Sequence, residues 1–371
     1  MEAPLIQSSR LRRVAFLIDD LGYGGAQKQL ALLVGALREH ADVEVHVLSQ
    51  ITEPHAQAVR AAGAPVFSYR RRFRSDVTFF PGLLSALRRS GVGVVHGFLD
   101  ASDIYAFWAA RSIGAAAVLS IQSDRITAPG PRAALLRYAL RRADAVTANS
   151  TAGRDFLAGA VGVGADRLHL VTNWIAVPAS AAGAAAEPVV GFVGRLVASK
   201  RVDLLVDAVA HVRRRVAAAR LVVLGDGPER AALERRAARA APPGAVSFEG
   251  AVADVEAWLG RFGCVAIPSE FEGLPNVAVE ALAAGVPIVA RPAGDLPDLV
   301  REGRTGTLVG EATPEALGEA LARVLGDGAL RAAARREGPQ LASDRFSLPR
   351  AAAAFATIYR TACARKKTGR R

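Results

Sequence analysis

Short apolar runs alternate with stretches of helical periodicity along most of the chain. In the first half the runs predict strands at Val14–Ile18, Val43–Leu48, Val66–Ser68, Val92–Val95, Ala117–Ser120, Ala145–Thr147 and Leu168–Val171. Helical segments fall between them, Gln27–Leu37 and Ala133–Arg142 among them. Strand–helix alternation of this kind predicts a parallel sheet covered on both faces. The pattern then stops: residues 176–188, AVPASAAGAAAEP, are mostly small, hold two prolines and show no period, so they read as a linker. A second alternating run follows, with strands at Val189–Val193, Leu221–Leu224, Val246–Phe248, Val265–Ile267, Ile288–Ala290 and Thr307–Val309. Between its first two strands Val202, Leu205, Val206, Val209 and Val212 recur at helical spacing, and Arg213–Arg215 close the last turn. Leu348–Ala364 is helical again, and RKKTGRR after it is charged and expected to be disordered. The expected organisation is α/β: two Rossmann-like doubly wound domains, 1–175 and 189–345, joined by the linker 176–188. A helix, 346–364, and a basic tail, 365–371, complete it. Such sheets bind ligands at the carboxyl ends of their strands, and two of them facing each other make an interdomain cleft.

Composition changes this picture little. The chain has 371 residues, of which 51% are hydrophobic, enough for two ordinary domains. No apolar run reaches the roughly 18 residues of a membrane-spanning helix. The N-terminal MEAPLIQSSRLRR has no signal-type apolar stretch behind it, and VAFLI ends at Asp19–Asp20, so a cytoplasmic protein is expected. Cys264 and Cys363 have neither paired nor metal-ligand spacing, which argues against a disulfide framework or a zinc site. The formal charge of +12 suits an acidic partner: nucleotide, phospholipid head groups or nucleic acid. With 43 Arg against 4 Lys, however, a lysine says more than an arginine, and outside the tail the lysines are Lys28 and Lys200.

The chemistry gathers at strand ends. Gly22, Gly24 and Gly25 lie between the first strand and its helix, where backbone N–H groups can approach a phosphate; a plain strand–helix turn needs the same glycines. In GFVGRLVASKRVD, Gly194 ends a strand and places Arg195 and Lys200 as two fixed cations suited to a diphosphate. LGDGP, from Leu224, is a tight turn into a helix, and VSFEG ends a strand at Gly250, where backbone can meet a flat base. In SEFEGLPNVAVEALAAG the loop Ser269–Pro275 leads into a helix Asn276–Ala284, stopped by Gly285. Loop and helix N-terminus form an anion site, so carboxylates at Glu272 and Glu280 make sense as acceptors of hydroxyl protons. Glu280 suits a ribose and Glu272 a sugar beyond the phosphates. A dipole role for Glu272 and a surface face for Glu280 is the rival account.

Taken together, GRLVASK, LGDGP, VSFEG and EGLPNVAVE resemble the retaining nucleotide-sugar glycosyltransferases of family four, of the GT-B superfamily, over nearly the whole chain. The resemblance implies that Arg195 and Lys200 bind the donor diphosphate, and that Glu280 holds the ribose. Glu272, with the backbone of Gly273, Leu274, Pro275 and Asn276, would hold the transferred sugar and the phosphates. Gly24 and Gly25 would close on phosphate and sugar, His96 in VVHGFLD would face the sugar, and the last helix would cross back to the first domain. ADAVTANS, ending at Ser150, matches a familiar strand. Three positions depart from the family pattern: Gln27 for an acid, Trp174 for a glycine in VTNWI, and Asp295 for a second glycine in AGDLPDLV.

The implied reaction moves a sugar from a nucleoside diphosphate to an acceptor hydroxyl with retention. Arg195, Lys200 and helix-end N–H groups would stabilise the departing phosphate. Fixed cations would replace a metal, and no Asp-x-Asp occurs in the sequence. A front-face path needs no protein nucleophile, and domain closure would exclude water. YRRRFR, Tyr69–Arg74, and RAALLRYALRR, Arg132–Arg142, interleave basic and apolar residues; either a solvated face or contact with an anionic leaflet accounts for them. Peripheral attachment to the inner face of the plasma membrane and a lipid-linked or surface-glycan acceptor are the companion expectations. A nucleotide-sugar epimerase of the same fold and a binding scaffold without turnover are the rival readings. A phosphorylase would need a cofactor lysine that neither Lys28 nor Lys200 suggests, and no recognition motif supports nucleic-acid binding. The other histidines, His40, His46, His55, His169 and His211, form no constellation.

Overall fold

The apolar runs assemble into two parallel sheets, as runs buried on both faces require. The structure is a computed structural model that describes residues 11–73, 76–122, 126, 130–176 and 187–368. Most of the expected linker, the last three residues of the expected tail, Arg74 of the first basic stretch and the N-terminal ten residues lie outside that range.

The first sheet holds β1 (Leu11–Ile18), β2 (Ala41–Val47), β3 (Val66–Ser68), β4 (Val94–Phe98), β5 (Ala116–Ile121), β6 (Ala145–Ala148) and β7 (Leu168–Leu170). Their order is β3-β2-β1-β4-β5-β6-β7. The second holds β8 (Val189–Val193), β9 (Arg220–Leu224), β10 (Val246–Gly250), β11 (Cys264–Ile267), β12 (Ile288–Ala290) and β13 (Gly306–Leu308), in the order β10-β9-β8-β11-β12-β13. Each sheet therefore reverses its winding once, between β1 and β4 and between β8 and β11. The crevice at the carboxyl ends of such a pair is where doubly wound sheets take ligands. Strand ends shift by up to three residues from the periodicity. The largest shifts are at β1, which begins at Leu11 through an irregular pairing with Ala41, and at β4, which runs on to Phe98.

By internal contacts the chain forms two units: Met1–Ala148 with Arg154–Val171 and Pro349–Arg371, and Asn149–Gly153 with Thr172–Leu348. In the first, the C-terminal helix Leu348–Thr368 packs beside the sheet, with Cys363 Sγ 3.7 Å from the carbonyl of Gly93 and Arg365 paired to Asp166 at 3.1 Å. The helix includes residues 365–368, where the charged sequence predicts a disordered tail. Their Ala, Arg and Lys neighbours are good helix formers, and packing further up the helix carries them along.

In the second unit β8 runs through the middle of the sheet, and its Gly191 is there for space. A Cβ at Gly191 would run into the ring of Phe262, which is buried. The glycine leaves the space against β8 that the Phe262 ring fills. Gly191→Val should cost about 1–3 kcal/mol, read as a lower urea midpoint, with part recovered in the double variant with Phe262→Leu.

Candidate active site

The loops after β8 and β9 are stitched to one another. Gly194 N–H donates to Leu224 O (3.0 Å), Leu196 N–H to Asp226 O (2.9 Å) and Glu229 N–H to Leu196 O (3.1 Å). Gly225, with φ 132°, and Gly227 allow this approach: a Cβ at either would meet the backbone of Gly194 or Leu196. Arg195 is left exposed at the carboxyl end of β8. A short turn, Ala198–Lys200, then brings Lys200 toward the loop that follows β11. There Glu270 N–H donates to Ser199 O (2.8 Å), and Lys200 Nζ donates to Glu272 Oε1 at 2.5 Å. The two side chains the sequence assigned to phosphate and to sugar thus form one ion pair, with Glu272 largely buried and Lys200 about a quarter exposed.

Downstream, Leu274 is buried, Pro275 is extended and Asn276 opens the helix Asn276–Ala283. Ala284 caps it and Gly285, at φ 68°, turns the chain away. Glu280 sits one turn into the helix and is 8% exposed, which removes the surface-face account of it. Asn276 Oδ1 and Ser269 Oγ are buried with no hydrogen-bond partner among the described residues. Arg291, directly after β12, has Nε and Nη1 in the same state. Gly250 ends the edge strand β10 at φ 77°, and its carbonyl accepts from Gly225 N–H (2.6 Å).

Asp295 is the residue whose role the sequence did not reveal. Its N–H donates to Gly273 O (2.9 Å). Its carboxylate accepts from Thr151 N–H (2.8 and 3.1 Å) and Ala152 N–H (3.3 Å). Gly294 beside it is at φ 54°, and a Cβ there would collide with the carbonyls of Glu272 and Gly273. Gly273 itself packs on Ser150 and Asn149, which leave little room for a larger residue. Asn149 donates to Asn173 Oδ1 (3.2 Å), and Asn173 Nδ2 donates to Leu274 O (2.7 Å). A buried polar network therefore fixes the backbone of 272–276 from below. Nothing in a linear reading links positions 149, 173, 274 and 295.

Two expected contributors lie in the first unit. Gly24 and Gly25 are exposed at the start of the helix Gly25–Leu37, beyond the carboxyl end of β1. Gln27 folds back under them, its Nε2 3.3 Å from Asp20 Oδ1, and a side chain on Gly24 would strike it. His96 is a correction. It is in mid-strand, 0% exposed, with Nδ1 2.8 Å from Tyr359 OH and Nε2 2.6 Å from Ser120 Oγ. Ser120 in turn bonds Thr147 Oγ1 at 2.6 Å. Both ring nitrogens are occupied inside the core, so this imidazole cannot face a sugar. Burial pushes it down to about 3.

No group of three or more His, Cys, Asp and Glu among the described residues is placed to hold a metal ion.

Comparison with known proteins identifies the family and the fold. The family model "Glycosyltransferase Family 4" matches residues 23–177, and "Glycosyl transferases group 1" matches residues 187–327. A GDP-mannose-dependent alpha-mannosyltransferase of Mycobacterium tuberculosis is 32% identical over 307 residues, 74% of this chain and 71% of that protein. The alpha-D-kanosaminyltransferase of Streptomyces kanamyceticus is 26% identical over 303 residues, 74% of this chain and 78% of that protein. Among solved structures, Anabaena HepE in complex with UDP and glucose superposes with a TM-score of 0.81 at 20% identity, over 93% of this chain and 98% of that one. At that identity the match establishes the shared GT-B fold.

Two outcomes follow from the buried groups. Below its ordinary value of about 6.5, the unfolded chain binds a proton at His96 that the fold refuses until about 3, so stability falls as pH drops through that window. Between about pH 7 and pH 5 the wild type should lose about 2 kcal/mol that His96→Gln does not, measured by urea unfolding at each pH. Asp295→Ala should raise amide hydrogen exchange at 151–153 and also at 272–276, since it frees the segment on which Gly273 rests. An increase confined to 151–153 would reduce Asp295 to a helix cap worth about 1 kcal/mol.

Proposed function

The chain belongs to the group 1, family 4 glycosyltransferases, and we propose that it moves a sugar, with retention, from a nucleoside diphosphate to an acceptor hydroxyl in cell-surface polysaccharide or glycolipid synthesis. The observation that carries the reading is the Lys200–Glu272 pair at the crevice between β8 and β11. Lys200 spends one of its three N–H donors on Glu272 and keeps two for phosphate oxygens. Arg195 and Lys200 then oppose the charge that grows on the departing diphosphate. Glu272 keeps its second oxygen for hydroxyls of the transferred sugar. With its charge bound by Lys200 it is a weak nucleophile, which favours attack by the acceptor on the face the diphosphate leaves.

In this reading Glu280 accepts from the ribose, backbone at Gly250 meets the base, and the N-terminus of the Asn276–Ala283 helix lies toward the phosphates. Gly24 and Gly25 offer backbone N–H groups to the donor. The bound cations do the work a metal would otherwise do, so turnover persists in chelator. GDP-mannose, on which the mannosyltransferase depends, and UDP, held by HepE, head the panel of nucleotides to test. A lipid-linked or glycan acceptor and peripheral attachment to an anionic membrane belong to the same proposal.

The test is incubation of the purified protein, with chelator, against UDP-, GDP- and ADP-sugars, following diphosphate release and the identity of the remaining sugar. Slow release from one donor is expected, reduced about 10²–10³-fold in Lys200→Ala and in Glu272→Ala. Conversion of one nucleotide sugar into another would replace the transferase reading with an epimerase.

A further inference from the structure

Two helices of the first unit present an aromatic face that its own fold leaves uncovered. Trp108, on the helix Asp100–Ile113, is 41% exposed, and Leu135 and Tyr138, on the helix Gly130–Arg142, are 47% and 48% exposed. Trp108 and Tyr138 stack, with ring centroids 6.1 Å apart and planes 12° from parallel. Large apolar side chains in one patch are unusual on a surface meant only for water.

Charge tells what the patch meets. The Gly130–Arg142 helix contains four arginines and no acid. Arg142 lies over the Tyr138 ring at 5.9 Å, and Arg111 lies over Phe107 at 5.4 Å. Arg111 donates to Arg142 O (2.9 Å), Arg137 to Ala160 O (3.0 Å) and Arg141 to Val161 O (2.5 Å). These bonds go to backbone carbonyls, which orient a guanidinium without cancelling its charge. Among the described residues Arg137, Arg141 and Arg142 form no ion pair with a carboxylate, while Arg132 acts on Asp19 from a distance. The other basic stretch is different: Arg71 turns inward onto Asp19 at 3.2 Å and is mostly buried.

We propose that this face, Trp108, Leu135 and Tyr138 ringed by Arg111, Arg141 and Arg142, is the surface by which the protein lies on an anionic lipid bilayer. Amphipathic rings prefer the headgroup level. Arginine stems can lie along the apolar boundary while their heads reach lipid phosphates. A solvated helix face would carry both signs, and among the described residues the exposed charges of this one are positive. The inference deepens the membrane part of the proposed function and is independent of the donor chemistry, because vesicle binding requires neither donor nor acceptor.

The experiment is flotation of the full chain with phosphatidylcholine vesicles, with and without phosphatidylglycerol, at low salt. The wild type should float with the anionic vesicles and stay behind with the neutral ones. Its emission should shift to the blue, a shift absent in Trp108→Phe. The double variant Trp108→Ser, Tyr138→Ser should bind about tenfold more weakly, and Arg142→Gln about fivefold more weakly, each with an unchanged thermal midpoint. Failure of the wild type to float, or equal flotation of both variants, overturns the proposal. So does self-association in sedimentation that disappears with the double variant, which would give the face to a second copy of the chain.

Discussion

Lys200 and Glu272 stand 72 positions apart, and their charge pair closes the gap left where the second sheet reverses its winding. A parallel sheet with one reversal cannot fill the space above its two central strands, because the helices on either side lead away in opposite directions. Loops from β8 and β11 must meet there without a strand between them. Opposite charges held at 2.5 Å in a partly dry crevice do this, provided each keeps hydrogen-bonding capacity for something else. Removing one partner would leave the other charge half-buried and alone, a larger loss than the net worth of the pair. The arrangement is therefore tolerant of a polar ligand, which can share the charges, and intolerant of an apolar one.

The layer beneath this pair is made of neutral groups. Asn149, Asn173 and the carbonyl of Leu274 are tied by hydrogen bonds, and the Gly273 carbonyl accepts from Asp295 N–H, in a tightly packed site. Of these groups Asn149 Oδ1 alone is left without a partner among the described residues, and the remaining hydrogen bonds hold the loop in one shape. Asp295 is the charged member, and its partners are two backbone N–H groups at the start of the Thr151–Phe156 turn, which suit an anion. A glycine at that position would keep the backbone bond to Gly273 and forfeit the clamp.

How much of this the sequence disclosed depends on the range of the interaction. Strand and helix positions rest on local periodicity, so β3, β8 and β12 fall on their expected residues. The cations and carboxylates were legible because Lys is rare here and because Glu272 and Glu280 flank a Gly-Leu-Pro turn. Their direct pairing was not, since nothing in a linear reading distinguishes a Lys that waits for phosphate from one that already holds a carboxylate. His96 misled for a related reason. The resemblance places a histidine at the end of this strand, facing the sugar; pairing with β1 and β5 continues to Phe98 and encloses the ring. Its partner Tyr359 lies 263 residues away. Arg291 was lost among 43 arginines. The stacking of Trp108 on Tyr138 joins two helices and has no signature in either.

The order in which the chain visits its two units has a consequence for anyone who would recombine it. Residues 149–153 and 349–371 are each counted with the unit that does not precede them in sequence. A chimera joined at the Ala- and Pro-rich junction would therefore carry a foreign last helix into the first sheet, and a foreign residue in place of Tyr359 opposite His96. The heritable module is consequently not a simple half of the gene. It is a half together with the closing helix, so exchange of acceptor or donor halves between relatives would breed true only when the crossover is double.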